Sequence, residues 1–154
     1  VRYNTGLHTS MNGQELAGRI EALLADWPVP VQELSVLGHS MGGLVCRSYL
    51  ARHGGGRVDR LITIASPHAG TELARIGIGK NAREMVPGSL WLKDLATENV
   101  PVPTISIRTP HDNYVMPQDN QRLPGAIDVE MDGIGHLSVL YARRTADELI
   151  AACR

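Results

Sequence analysis

The chain has 154 residues, a length that suits one ordinary domain with a sizeable core. Its hydrophobic content is 43% and its net charge is -1, with no basic block, which argues against nucleic acid or an anionic membrane surface as a partner. No apolar run approaches the roughly 20 residues of a membrane span, and no stretch has the pattern of a signal peptide. Cys46 and Cys153 suggest neither a metal site nor a disulfide framework, so the default compartment is reducing and cytoplasmic.

The first part of the chain predicts a strand end followed by a helix. Residues 1–4 have the composition of the end of a strand. Apolar residues at helical spacing predict an amphipathic helix over 13–26. Asn12 and Glu15 have the spacing of a capping box for this helix, and Ser10 is the alternative cap.

The rest of the chain alternates between strands and helices. Short apolar runs predict buried strands, and alternation predicts one half-exposed strand at a sheet edge. The predicted strands are 34–38, 61–64, 103–107 and 126–131; the predicted helices are 43–53, a short one within 90–95, and 138–152. This order predicts an α/β fold with a parallel sheet, in which active groups lie beyond the carboxyl ends of the strands.

The sequence Gly38-His39-Ser40-Met41-Gly42 lies between a predicted strand and a predicted helix. It fits Gly-X-Ser-X-Gly, the pattern of a nucleophile elbow. The turn is tight, so side chains two positions before and after the serine would clash, and glycines avoid this. The Met41 N–H, the first of the helix, is then expected to point at a forming oxyanion. The alternative interpretation is a glycine-rich turn with an incidental serine.

An acid and a base are expected beyond the later strands. His136 follows the last predicted strand by a short glycine-containing turn, and a neutral imidazole there could take the serine proton. Asp112 follows strand 103–107 and would orient His136, and the order Ser40, Asp112, His136 is the chain order of one hydrolase class.

Other residues of the same types compete for these two roles. The remaining histidines do not follow the last strand, and His39 is expected to support the turn that contains it. The competing acids are Asp119, Asp128 and Asp132; of these, Asp128 lies in a strand and Asp132 has the position of a turn residue.

These motifs resemble the α/β-hydrolase lipases and esterases, especially the bacterial triacylglycerol lipases. The resemblance rests on the turn at Ser40, on Ser-Pro-His-Ala-Gly-Thr at 66–71, on Asp-X-X-Val-X-Pro from Asp112, and on Gly135-His136. It implies hydrolysis of carboxylic esters, or lipid-like substrates, through an acyl-serine intermediate without a cofactor. Some members hold calcium near the histidine, but no aspartate pair follows His136, so no metal is predicted. The same residues serve thioesterases, amidases and acyltransferases.

The chain departs from the family at its beginning. Family members have three further strands before the position of residue 1, and the loop after the third donates a second oxyanion N–H. Without that strand, residues 34–38 would expose an unpaired edge that invites pairing with another chain. The sequence therefore predicts a fold truncated at the N-terminus: a fragment, a minimal version, or a homo-oligomer that completes the sheet.

Residues 69–100 occupy the place of a lid or acyl pocket in the resembling lipases. The expected organisation is a single α/β-hydrolase core over 1–154 with this lid-like insertion. Candidate substrate-binding residues are His39, Met85, Leu90, Trp91 and Leu95, although the apolar members could instead simply cover the sheet. The competing hypothesis for the whole chain is an inert fragment or binding module without a complete oxyanion hole.

Overall fold

A computed structural model of the protein describes residues 8–153. Its sheet contains four parallel strands that lie side by side in chain order. The strands are β1 (Ser35–His39), β2 (Arg60–Ile64), β3 (Thr104–Arg108) and β4 (Ile127–Glu130). The predicted α/β class with a parallel sheet is confirmed, and every predicted strand in the described range is present within about one residue of its expected bounds.

Helices cover both faces of this sheet. The α-helices of residues 8–153 are α1 (Thr9–Asp26), α2 (Met41–His53), α3 (Lys80–Glu84), α4 (Leu90–Thr97) and α5 (Arg143–Ala152). Short 3₁₀-helices occupy Glu72–Ile76, Gln118–Gln121 and Ser138–Leu140. The helix predicted over 138–152 is therefore two pieces, because Ala142 adopts an extended conformation before α5.

The start of α1 differs from the prediction, and its cap comes from a distant part of the chain. The helix begins at Thr9, so the capping box at Asn12 and the alternative cap at Ser10 are wrong. Glu84 accepts hydrogen bonds from the Thr9 N–H at 2.7 Å and from the Thr9 hydroxyl at 2.6 Å. A carboxylate at the first turn satisfies free N–H groups and suits the helix dipole. The strand end predicted at 1–4 lies outside the described residues.

Two of the three apolar core clusters of the described residues lie on opposite sides of the sheet. Leu61 of β2 packs with Tyr49 and Leu50 of α2 on one side, whereas its neighbour Ile62 packs with Met131 on the other. This division follows from the alternation of side chains along a strand. Partly buried residues of α5 pack against the Ile62 cluster, so α2 and α5 lie on opposite faces.

The two outer strands differ in character. β4 lies at the sheet edge, as predicted, but it is largely exposed and not half-exposed as its alternating sequence predicts. β1 is the other outer strand of the described sheet, and its Leu37 is 45% exposed. Both cysteines are free, Cys46 buried and Cys153 exposed. None of the helices in residues 8–153 is long and apolar enough to cross a membrane.

Candidate functional site

The chain turns sharply between β1 and α2, and Ser40 is the residue at the turn. Ser40 has φ 52° and ψ -127°, a backbone conformation that residues other than glycine rarely adopt. Its N–H donates to the carbonyl of Ile64 at 2.8 Å, which ties the turn to the end of β2. A Cβ on Gly38 would lie 2.5 Å from the backbone of Gly42 and Gly43, so the turn requires glycine there. The geometry is that of a strained strand-to-helix turn carrying a half-buried serine.

The first turn of α2 is pressed against the segment after β2. A Cβ on Gly43 would lie 2.0 Å from Ser66 Oγ and 2.7 Å from Ser66 Cβ. Met41 is the first residue of α2, and no described residue accepts a hydrogen bond from its N–H. An N–H at this position is free to donate to a ligand next to Ser40.

Asp112 and His136 form a buried pair. The His136 Nδ1–H donates to Asp112 Oδ2 at 2.7 Å, and the two side chains are 3% and 0% exposed. Asp112 Oδ1 accepts from the N–H groups of Tyr114 and Val115, each at 2.7 Å. Burial alone would raise the pKa of Asp112, but the hydrogen bonds from His136 and the two N–H groups outweigh it and lower the pKa. Asp112 is therefore ionised and fixed.

Two rings hold His136 close to the turn at Ser40. His39 Nε2 donates to the backbone carbonyl of His136 at 3.0 Å, and the two ring centroids are 4.7 Å apart. Burial lowers the pKa of His39, so its ring is neutral. Tyr114 stacks on His136 with a centroid distance of 4.8 Å. Because His39 directly precedes Ser40, these contacts bring the imidazole next to the turn, although Ser40 Oγ makes no hydrogen bond to it within residues 8–153.

Residues 66–71 hold the loop that carries Asp112, which accounts for part of the Ser-Pro-His-Ala-Gly-Thr motif. The Thr71 hydroxyl donates to the carbonyl of Tyr114 at 2.7 Å and accepts from the Met116 N–H at 3.1 Å. Gly70 has φ +91°, and its carbonyl accepts from the Asn120 side chain at 2.9 Å. The conformation of the loop that carries Asp112 therefore depends on this segment.

His68 lies in the interior beside the sheet. It is 4% exposed, and its Nε2 lies 3.0 Å from Thr63 Oγ1. The Thr63 hydroxyl donates to Ser106 Oγ at 3.4 Å, so Nε2 carries the His68 proton and donates to Thr63. Burial lowers the pKa of His68 to about 3, with a smaller effect from the charge of Arg47. The residue is neutral and lies in the interior.

The competing acids are engaged elsewhere. Asp128 pairs with Arg108, with both carboxylate oxygens 2.9 Å from Nε, and Asp119 pairs with Arg122 at 3.0 Å. Asp132 pairs with the exposed ring of His111 at 2.8 Å. Of the four candidates, only Asp112 has a hydrogen bond to His136 within the described residues.

The apolar candidates for substrate contact have different surroundings. Leu95 is fully buried and packs with Leu44 and Leu92, and Met85 and Trp91 pack against the same cluster. Leu95 therefore has no surface for a ligand. Its apolar character is explained by packing against α2, in line with the alternative that these residues are structural. Leu90 is 81% exposed.

Sequence reasoning did not identify Tyr114 and gave Thr71 no separate role. Tyr114 contacts His136 through its ring and Asp112 through its N–H, and Thr71 fixes its carbonyl. The available signal was its position two residues after the candidate acid, where a turn residue donates back to a carboxylate. Residues 8–153 contain no group of three or more His, Cys, Asp or Glu side chains that could hold a metal ion.

Comparisons with known proteins place the chain in a family. The family model described as the PGAP1-like alpha/beta domain matches residues 9–133. No curated protein sequence matches the chain. Among solved structures, the mature form of the Bacillus licheniformis lipase BlEst2 superposes with a TM-score of 0.85 at 15% identity, covering 99% of this chain and 77% of the lipase.

Two further structures share the fold over smaller parts of their length. The metagenomic carboxyl esterase MGS0156 has a TM-score of 0.71 at 16% identity, with 90% of this chain and 54% of the esterase covered. Lipase B of Aspergillus fumigatus has a TM-score of 0.63 at 19% identity, with 86% of this chain and 38% of the lipase covered. At these identities the likeness shows the α/β-hydrolase fold.

Proposed function

The chain belongs to the family of PGAP1-like alpha/beta domains, and from that premise we propose that it is a serine hydrolase that cleaves carboxylic esters. The observation that carries the proposal is the buried Asp112–His136 pair held beside the strained turn at Ser40. The lipases and esterase that share the fold are consistent with this chemistry. Ser40 is the nucleophile, His136 the general base, and Asp112 the residue that orients it.

The hydrogen bond between His136 and Asp112 sets the direction of proton transfer. Because the His136 proton is on Nδ1, the lone pair is on Nε2 and can accept the Ser40 hydroxyl proton as Ser40 Oγ attacks the ester carbonyl. Nε2–H then protonates the alcohol oxygen as the C–O bond breaks, leaving an acyl-serine. Water, deprotonated by Nε2, releases the acid and restores Ser40.

The charge of the tetrahedral intermediate requires N–H donors. The Met41 N–H is one, since it begins α2 next to Ser40 and no described residue uses it. A substrate enters from the side of residues 69–100, which we propose as the lid or cap, with Met85, Leu90 and Trp91 as candidate contacts. His39 serves chiefly to hold the His136 loop.

The test is reaction with a fluorophosphonate probe, followed by mass spectrometry and hydrolysis of p-nitrophenyl esters. We expect one equivalent of label on Ser40, loss of label in Ser40→Ala, and unchanged labelling in Ser35→Ala, which alters the first residue of β1, the strand that leads to Ser40. An inert module would remain unlabelled although circular dichroism shows it folded. Ester turnover that survives in Ser40→Ala would remove Ser40 as the nucleophile.

A further inference from the structure

A cavity of about 450 Å³ is lined by residues other than Ser40, Asp112 and His136. Its lining comes from α2, from residues 68–69, from Gly88, from α4, from residues 98–104 and from residues 122–126, and includes neither Ser40 nor His136. This volume lies within the range of small-molecule sites. The cavity is therefore a separate candidate for a ligand.

A buried guanidinium without a carboxylate partner lies in the cavity wall. Arg47 of α2 is 5% exposed and lines the cavity. Its Nη2 donates to the carbonyl of Leu95 at 2.9 Å, and its Nε has no hydrogen-bond partner within the described chain. Burial lowers the pKa of Arg47, and the nearby charge of Glu98 opposes this shift. A buried cation is costly unless a counter-charge meets it.

The other charges at this end of the cavity do not neutralise Arg47. Glu98 Oε1 lies 3.5 Å from Arg52 Nε, and Glu98 Oε2 is buried and has no partner in residues 8–153. Glu98 is therefore bonded to Arg52, which lies outside the lining, and not to Arg47, so the carboxylate of a ligand could supply the counter-charge of Arg47.

The remaining polar residues of the lining add no anion. His68 is neutral, and Lys93 is exposed and forms no salt bridge with a described residue. Arg122 already pairs with Asp119 and Asp128. Among the described residues, Arg47 is therefore the one buried cation of the lining that lacks a carboxylate partner, and a single carboxylate is enough to meet it.

Apolar side chains form much of the rest of the wall. Leu92, Val100, Val102 and Leu123 line the cavity. We propose that the cavity binds an aliphatic monocarboxylate, with its carboxylate on the Arg47 guanidinium and its chain against these four residues. A guanidinium can receive a carboxylate through two parallel N–H bonds, which favours this group over other monoanions.

Titration of the whole chain with octanoate tests the proposal without any turnover. We expect one equivalent to bind by calorimetry, and the ¹⁵N-resolved Nε–H resonance of Arg47 to shift at saturation. Octanol and octylammonium, which have the same chain and no negative charge, should bind at least about tenfold more weakly, a difference of about 1.4 kcal/mol. An Arg47 resonance that does not move at saturating octanoate overturns the proposal.

Variants separate this cavity from any octanoate that binds near Ser40. Arg47→Gln should weaken octanoate binding about tenfold or more, and the surface control Arg143→Gln should leave it unchanged. Glu98→Gln should tighten it, since a repelling carboxylate is removed. If Arg47→Gln does not fold, Arg47→Lys is the second variant. It keeps the charge but loses the two parallel N–H donors of the guanidinium, and it should bind octanoate several-fold more weakly. Equal affinity in a folded Arg47 variant and in the unaltered chain refutes the assignment.

Discussion

Replacing Asp112 with Asn tests the proposed proton path with little change in shape. In the structure, Asp112 Oδ1 accepts two backbone N–H groups and Oδ2 accepts the His136 Nδ1–H, all at 2.7 Å. The Asn carbonyl can keep the two backbone bonds, and its amide nitrogen then faces His136. An amide nitrogen donates only, so the His136 proton must move to Nε2. In that tautomer Nε2 cannot accept the Ser40 proton.

The expected loss of activity is large and the expected loss of stability is smaller. In a serine protease the same exchange lowers kcat about 10⁴-fold, which corresponds to about 5.4 kcal/mol in the barrier. In the ground state the three hydrogen bonds to the carboxylate become bonds to a neutral amide, so we expect unfolding to become easier by about 1.5–3 kcal/mol. Initial rates on p-nitrophenyl butyrate and thermal melts measure the two quantities.

A neighbouring aspartate provides the control for this exchange. Asp119 has an 81% exposed side chain and bonds to Arg122 at the surface. Asp119→Asn should therefore change neither kcat nor stability appreciably. A folded Asp112→Asn protein that keeps kcat within tenfold of the unaltered chain would refute the role given to Asp112.

Three further predictions concern packing and ionisation. Gly43→Ala places its Cβ 2.0 Å from Ser66 Oγ and should lower the free energy of unfolding, measured in urea, by about 1–3 kcal/mol. Adding Ser66→Gly should restore part of this loss, and no restoration would exclude the clash as its cause. A thiol reagent should modify Cys153 at once but Cys46 only on unfolding, because Cys46 is buried and burial raises its pKa to about 12. Rapid modification of both cysteines in the folded protein would contradict this prediction. The native pKa of His68 is about 3 against 6.5 when unfolded, so the unfolded chain takes up a proton as pH falls and stability is lost below about pH 6.5. His68→Gln should reduce the slope of the unfolding free energy against pH in this range by up to about 1.4 kcal/mol per pH unit. Equal slopes in the variant and in the unaltered chain would contradict this prediction.

The strands and the order of the candidate residues could be predicted because their signals are local. Short apolar runs between glycines and prolines mark β1 to β3, and a parallel sheet brings the segments after those strands to one edge. That placement favoured Asp112 and His136 while Asp119, Asp128 and Asp132 stayed open as competing acids, and the structure brings the side chains of Asp112 and His136 to 2.7 Å from each other.

The features that could not be predicted depend on residues far apart in the chain. The cap of α1 is Glu84, which lies 75 residues beyond Thr9. The bond from His39 to the carbonyl of His136 spans 97 residues. The burial of Leu95 depends on where α4 meets α2, and helical spacing alone cannot distinguish a residue that lines a cleft from one that packs inward.

The sheet keeps its strands in the same order in space as along the chain. The segments that follow β1, β2, β3 and β4 therefore lie side by side along one edge of the sheet, and each can be extended without crossing another. The long excursion between β2 and β3 is one such segment, but three of its residues support the rest of the fold: Thr71 holds the loop of Asp112, Glu84 caps α1 and Leu95 packs against α2. A change of selectivity introduced into residues 69–100 should therefore keep these three positions and vary exposed ones such as Ile76, Ile78 and Leu90.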